Sequence, residues 1–140
     1  MKPSVKQISP LIYEFEWDSK VSDQLLQHQL SLKANLQKDF GSAIIELRMG
    51  FKTLAVVLSK PLETTVLEDW VKSLNLKKSL KALPEKIWQI PVCYSKETGR
   101  DLEALAKHKN ISQEELISLH SQPLYRLHFY GFLPGFMYLN

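Results

Sequence analysis

Four side chains near the end of this chain carry its most concentrated chemistry: His120, Tyr125, Arg126 and His128, followed by the turn residues Pro134, Gly135 and Phe136. His120 stands four residues after Leu116 and three after Ile117, so it lies on or beside the apolar face of a helix. That position suits a proton donor or orienting group at a ligand, and equally a hydrogen-bonded histidine at the edge of a core. The planar guanidinium of Arg126 suits a two-point grip on a carboxylate or acyl phosphate, and equally a surface ion pair. His128 shares strand parity with Arg126, so both are expected on one side. Pro134 and Gly135 fit the two central positions of a type II turn. Turned into a concavity, the amides of Gly135 and Phe136 would hold a carboxylate or phosphate, and the same spacing also suits a plain connection between strands.

Other chemistries find less support. His120 and His128 have no third ligand at usable spacing, so no metal site is expected. Cys93 lies in an apolar alternation and reads as a buried strand cysteine, a nucleophile only if a histidine stands beside it in space. His28 interrupts an apolar helical stripe and reads as a core-edge residue. No glycine-rich phosphate loop is present, so no ATP site is expected in this chain alone. Lysines 72, 77, 78, 81 and 86 form a basic patch, read as a solvated face or a partner's docking surface. The tandem helices around Asn110 superficially resemble a LysM module or a DNA-reading helix-turn-helix, but Gln113–Ser121 carries Glu114 and Glu115 and no lysine or arginine. That is the wrong sign for phosphates, so no nucleic-acid partner is expected.

The elements that must position these residues follow from periodicity. Leu11 to Trp17 alternates, with Leu11, Tyr13, Phe15 and Trp17 on one side, as a half-buried strand does. Asp18 or Ser19 then offers an N-cap, and Val21, Leu25, Leu32 and Leu36 mark a helical stripe that ends at Phe40-Gly41. Ala43–Leu47 and Thr53–Ser59 read as strands around a turn at Gly50, the second nearly all apolar and therefore central. Thr65 and Glu68 suggest a capping box for a helix with Val66, Leu67, Trp70, Val71 and Leu74 inward. After a lysine-rich connector, Lys86–Tyr94 alternates as another strand. The order β-α-β-β-α-β predicts an α+β fold, one sheet with two helices on one face. Beyond it, a helix from Gly99 and Asp101, with Leu102, Leu105 and Ala106 inward, breaks at Asn110. Ser112 and Glu115 cap the next helix, and Tyr125–Phe132 returns as a strand. The expected division is 1–88 and 89–140.

Composition sets the outer limits. Of 140 residues, 44% are hydrophobic and 24% charged, as in an ordinary globular protein, and a net charge of +3 is too small to imply a polyanionic partner. One cysteine excludes an internal disulfide and fits a reducing compartment. No apolar run reaches membrane-spanning length and no signal peptide is visible, so a cytoplasmic location without membrane attachment is expected.

Four blocks, P-V-C-Y at Pro91, G-x-D-L-E at Gly99, S-x-E-E-L ending in His120, and G-F-x-P-G-F-x-Y-L at Gly131, stand in order. In this the chain resembles the family of 5-oxoprolinase B subunits, also called allophanate hydrolase subunit 1 and KipI. The first half matches more loosely, through its element order and the Phe51–Val57 strand entry. The resemblance implies that residues 89–140 begin a cyclophilin-like β-barrel, left incomplete because later family blocks are absent. It implies a subunit of an ATP-dependent enzyme that opens 5-oxoproline to glutamate together with C and A partner subunits, the ATP belonging to the whole assembly. An inhibitor of a sensor histidine kinase is the alternative. The candidate site is then His120 and Arg126 as catalytic groups, with Tyr125, His128, Phe132, Pro134, Gly135 and Phe136 binding the ligand. The aromatic last strand is further expected to drive self-association.

Overall fold

The computed structural model describes residues 1–76, 80 and 82–140. Its contacts divide the chain into two compact units, Met1–Pro84 with Arg126–Asn140, and Glu85–Tyr125. Lys77, Lys78 and Lys81 of the basic patch lie outside the described residues.

The first unit holds a four-stranded antiparallel sheet of β1 (Ser4–Ser9), β2 (Ile12–Glu16), β3 (Ile44–Met49) and β4 (Thr53–Leu58), in the order β1-β2-β4-β3. The apolar run of β4 does lie inside the sheet, paired with β2 and β3. Tyr13 and Phe15 stand opposite Val56 and Leu54, which puts their side chains on one face. On that face Leu25, Leu32 and Leu36 of α1 (Asp23–Phe40) and Leu67 and Val71 of α2 (Thr64–Ser73) close the core. The α+β class and the two-helix layer are as the periodicity predicts.

Several local expectations are corrected. Strand β1 carries no sequence signal, because on this edge strand Val5 alone packs against the core while its neighbours are exposed or polar. Lys86–Tyr94 forms no regular strand, and Ile87, Trp88, Ile90 and Val92 are exposed. Alternation equips a segment for a sheet but supplies no neighbour to bond. Helix α1 is capped by Ser22, whose hydroxyl accepts from the amide of Leu25 at 3.2 Å, so neither Asp18 nor Ser19 caps it. Its end at Phe40 is as expected, but Gly41 keeps right-handed angles and runs into a single 3-10 turn, Gly41–Ala43. Thr65 lies inside α2, whose cap position is Glu63 without a side-chain bond, and Val66 is exposed.

In the second unit, α3 (Leu102–Lys109) stops at Asn110, which takes left-handed angles (φ 56°) as the expected breaker. Ser112 caps α4 (Gln113–Ser121) by accepting from the amide of Glu115 at 3.0 Å. Of the three side chains expected inward on α3, Ala106 is buried, whereas Leu105 is 41% exposed. Strands β5 (Leu127–Tyr130) and β6 (Met137–Leu139) form an antiparallel hairpin belonging to the first unit. No helix among the described residues is long and apolar enough to cross a membrane.

The hydroxyl of the fully buried Tyr13 ties β2 to the chain entering α2: it accepts from the amide of Leu62 at 2.8 Å and donates to the Leu62 carbonyl. Tyr13→Phe leaves both groups of Leu62 without this partner and should cost about 2 kcal/mol, read as a lower urea midpoint at unchanged m-value.

Candidate functional site

The candidate residues divide between the two units. His120 and Tyr125 belong to the second; Arg126, His128, Phe132, Pro134, Gly135 and Phe136 belong to the first.

In the first unit the hairpin is held by aromatic contacts. Phe51, in the β3–β4 turn, meets the rings of His128, Phe129 and Tyr138 edge-on at 5.4, 5.3 and 6.1 Å, and Phe129 stacks on Tyr138 at 4.5 Å. A Cβ at residue 131 would stand 3.3 Å from the Tyr138 ring, so glycine lets that ring lie close. The connection is the expected type II turn: Gly135 has φ 79°, and the amide of Phe136 donates to the Leu133 carbonyl at 3.0 Å. That bond removes Phe136 as an anion donor, since its amide closes the turn. Phe132 is 83% exposed and held at φ 62°, a strained conformation for so bulky a residue.

Arg126 is not a free cation. Its Nε and Nη2 donate to the two carboxylate oxygens of Asp23, at 3.0 and 2.9 Å, and Nη1 donates to the Pro84 carbonyl at 2.9 Å. The two-point geometry expected for a ligand is thus used on the first residue of α1. Between Leu127 and Phe129 the strand register shifts, which makes His128 the extra residue of a bulge and interrupts its alternation with Arg126. His128 is buried, and neither ring nitrogen has a hydrogen-bond partner among the described residues. Burial lowers its pKa from the ordinary imidazole value; the Asp23 carboxylate opposes this, and the Arg126 charge adds to it.

In the second unit, His120 and Tyr94 share a short hydrogen bond between the imidazole Nδ1 and the phenol. The Tyr125 hydroxyl donates to the His120 carbonyl at 2.9 Å. Cys93 is exposed, not buried, because its segment joins no sheet. Hydrogen bonds from Thr98 and Ser95 hold its thiol below the ordinary cysteine pKa. Cys93, Tyr94, Asp101 and His120 line one groove of about 290 Å³, with Leu102, Leu105 and Leu116 along its wall. Asp101 occupies the N-cap of α3 without making a side-chain capping bond. Sequence reasoning misses Tyr94 and Asp101, although it names the condition that joins Cys93 to a histidine. No cluster of metal-ligating side chains occurs among the described residues. His28 is buried within α1.

Two outcomes test this geometry. Arg126→Lys keeps the charge but loses the fork, and should destabilise the fold by about 1 kcal/mol; combined with Asp23→Asn, the losses should be less than additive in a double-mutant cycle. For His128 the folded pKa is the lower one, so below the ordinary imidazole pKa of about 6.5 the unfolded chain binds the proton better. Its stabilising contribution is therefore present above that pH and is lost as pH falls through the depressed folded value. His128→Phe should flatten that slope in unfolding curves taken across this window.

A family model described as carboxyltransferase domain, subdomain C and D, matches residues 3–140. Three proteins named as the B subunit of 5-oxoprolinase are similar to the chain. The one from Bacillus subtilis is 46% identical over 55 residues, 39% of this chain and 23% of its own length. That from Haemophilus influenzae is 30% identical over 97 residues, 69% of this chain and 46% of its own length. That from Escherichia coli O157:H7 is 34% identical over 99 residues, 69% of this chain and 45% of its own length. The chain thus spans less than half the length of these relatives. The crystal structure of TTHA0988 superposes with a TM-score of 0.68 at 26% identity, over 91% of this chain and 25% of that one. With the model spanning nearly every residue and the named relatives agreeing, the chain belongs to the carboxyltransferase subdomain C and D family, and within it to the 5-oxoprolinase B-subunit proteins.

Proposed function

We propose that this chain works as part of a 5-oxoprolinase B subunit, in an assembly that opens the lactam of 5-oxoproline to give glutamate. The observation that carries the reading is its similarity, at 30–46% identity, to three proteins that bear that name. The C and A subunits are the partners this reading requires, and a cytoplasmic location is the one it fits. The same reading takes residues 89–140 as the opening part of a cyclophilin-like barrel. The kinase-inhibitor alternative has no specific observation in its favour.

The division of labour follows from which groups are uncommitted. Lactam opening needs a donor for the carbonyl oxygen or the departing nitrogen, and a positioned imidazole supplies one. With Nδ1 of His120 paired to the Tyr94 hydroxyl, Nε2 is the ring nitrogen left to exchange a proton with substrate. Tyr125 supports this group from behind, bonded to the His120 backbone. Arg126 serves as a positioning residue, because its donors are occupied by Asp23 and Pro84. Phe132 and Phe136 meet edge-to-face at 5.8 Å within the first unit. The Leu133–Phe136 turn spends its last amide on itself and so offers no row of backbone donors to a triphosphate. ATP is accordingly assigned to the whole assembly.

The test is ATP-dependent conversion of 5-oxoproline to glutamate by the full-length protein with its A and C partners. His120→Asn should lower kcat roughly 10²-fold while assembly, followed by size-exclusion chromatography, persists. No turnover by the complete wild-type assembly would sink the functional reading. Full turnover by His120→Asn would remove only the role given to His120.

A further inference from the structure

The groove of the second unit brings together a thiol, an imidazole and a carboxylate that lactam opening does not require as a set. Cys93 is exposed there, and Thr98 fixes its backbone by donating from Oγ1 to the Cys93 carbonyl at 2.8 Å. His120 lines the same groove with Nδ1 engaged by the Tyr94 hydroxyl and no partner for Nε2 among the described residues. A nucleophile, a base and a third group orienting the base are the components of covalent acyl transfer.

We propose that this groove is a thiol acylation site, in which Cys93 accepts the acyl group of a small, uncharged or cationic ester or activated amide. Size, wall and charge select that class. At about 290 Å³ the groove is at the small end of ligand sites, so it takes a compact acyl donor. Leu102, Leu105 and Leu116 favour an apolar acyl chain. Asp101, whose carboxylate is not used to cap α3, repels anionic donors. The site shares His120 with the lactam chemistry above but needs no partner subunit or nucleotide.

The step balances without any redox change. The thiol proton passes to His120, and the sulfur forms a bond to the acyl carbon as the carbonyl electrons move to oxygen. When the carbonyl re-forms, the bond to the alkoxy or amino leaving group breaks, and that group takes the proton from the imidazolium. Water then attacks the thioester, giving a proton to His120 and releasing the acid and the thiol. Thr98 and Ser95 lower the thiol's pKa, so the step begins at lower pH than for a free thiol.

The experiment treats the 140-residue chain with 4-nitrophenyl acetate and follows 4-nitrophenolate release, with the acetylated residue located by peptide mass spectrometry. The expected result is a single acetyl group on Cys93, formed at least roughly tenfold faster than on N-acetylcysteine at the same pH, with the rate rising at lower pH than for that free thiol. Cys93→Ser should abolish the stoichiometric burst. His120→Gln should slow acetylation roughly tenfold and move its pH profile toward that of N-acetylcysteine. A wild-type rate and pH profile matching N-acetylcysteine would overturn the proposal without recourse to any variant. So would an undiminished burst from Cys93→Ser, or an unchanged rate and profile in His120→Gln.

Discussion

The first unit depends on where one guanidinium spends its donors. Arg126 joins the start of β5 to the first residue of α1 and to Pro84, which is also where the chain leaves this unit. An exposed ion pair is ordinarily worth little, since water and lost side-chain freedom offset the attraction. Here two parallel bonds to Asp23 and a third to a backbone carbonyl use the planarity of the group, so orientation is fixed as well as charge balanced. The same saturation decides function. To grip an anion, Arg126 would first have to leave a carboxylate it already fits, so a ligand gains only the difference between two similar bonds. The uncommitted groups stand elsewhere in the sequence, at His120, Cys93 and Asp101.

How much of this was legible in the sequence depends on the range of the interaction involved. Alternation from Leu11 to Trp17 and the apolar run of β4 report local burial, and both became core. Ser112 and Asn110 were readable for the same reason: each acts on amides or angles within a few residues. The cap of α1 was harder, since Asp18, Ser19 and Ser22 all carry suitable oxygens and chain geometry alone selects Ser22. Edge strand β1 escaped because most of its side chains face water, leaving no apolar period to detect. The segment from Lys86 to Tyr94 misled in the opposite direction, with a strand's composition and exposed side chains.

For the candidate site, residue types were readable and their commitments were not. The Pro134-Gly135 turn was visible in two letters, but the bond from the Phe136 amide to Leu133, which removes it from anion binding, depends on the folded backbone. Arg126 finds its carboxylate 103 positions earlier in the chain, a separation no spacing rule reaches. His128 shares parity with Arg126 on paper, yet a one-residue register shift lies between them. Burial then lowers its pKa, with no hydrogen bond to either ring nitrogen among the described residues.

The misread strand also explains why reactive groups collect in the second unit. Had Lys86–Tyr94 joined a sheet, the Cys93 thiol would have been packed among apolar neighbours, its pKa raised and its sulfur inaccessible. Outside a sheet, the same residue lies next to the Ser95–Gly99 turn, whose amides and hydroxyls bond one another and the Cys93 carbonyl. Thr98 and Ser95 lower the pKa of the thiol, while an incompletely packed α3, with Ala106 buried and Leu105 open, leaves room beside it for a small molecule. The first unit instead buries Tyr13, Phe15 and Trp17 in its core, where no reactive side chain of this kind meets solvent. Packing and reactivity are thus divided between the units for one physical reason: a side chain that completes a core surrenders the solvent access its chemistry needs.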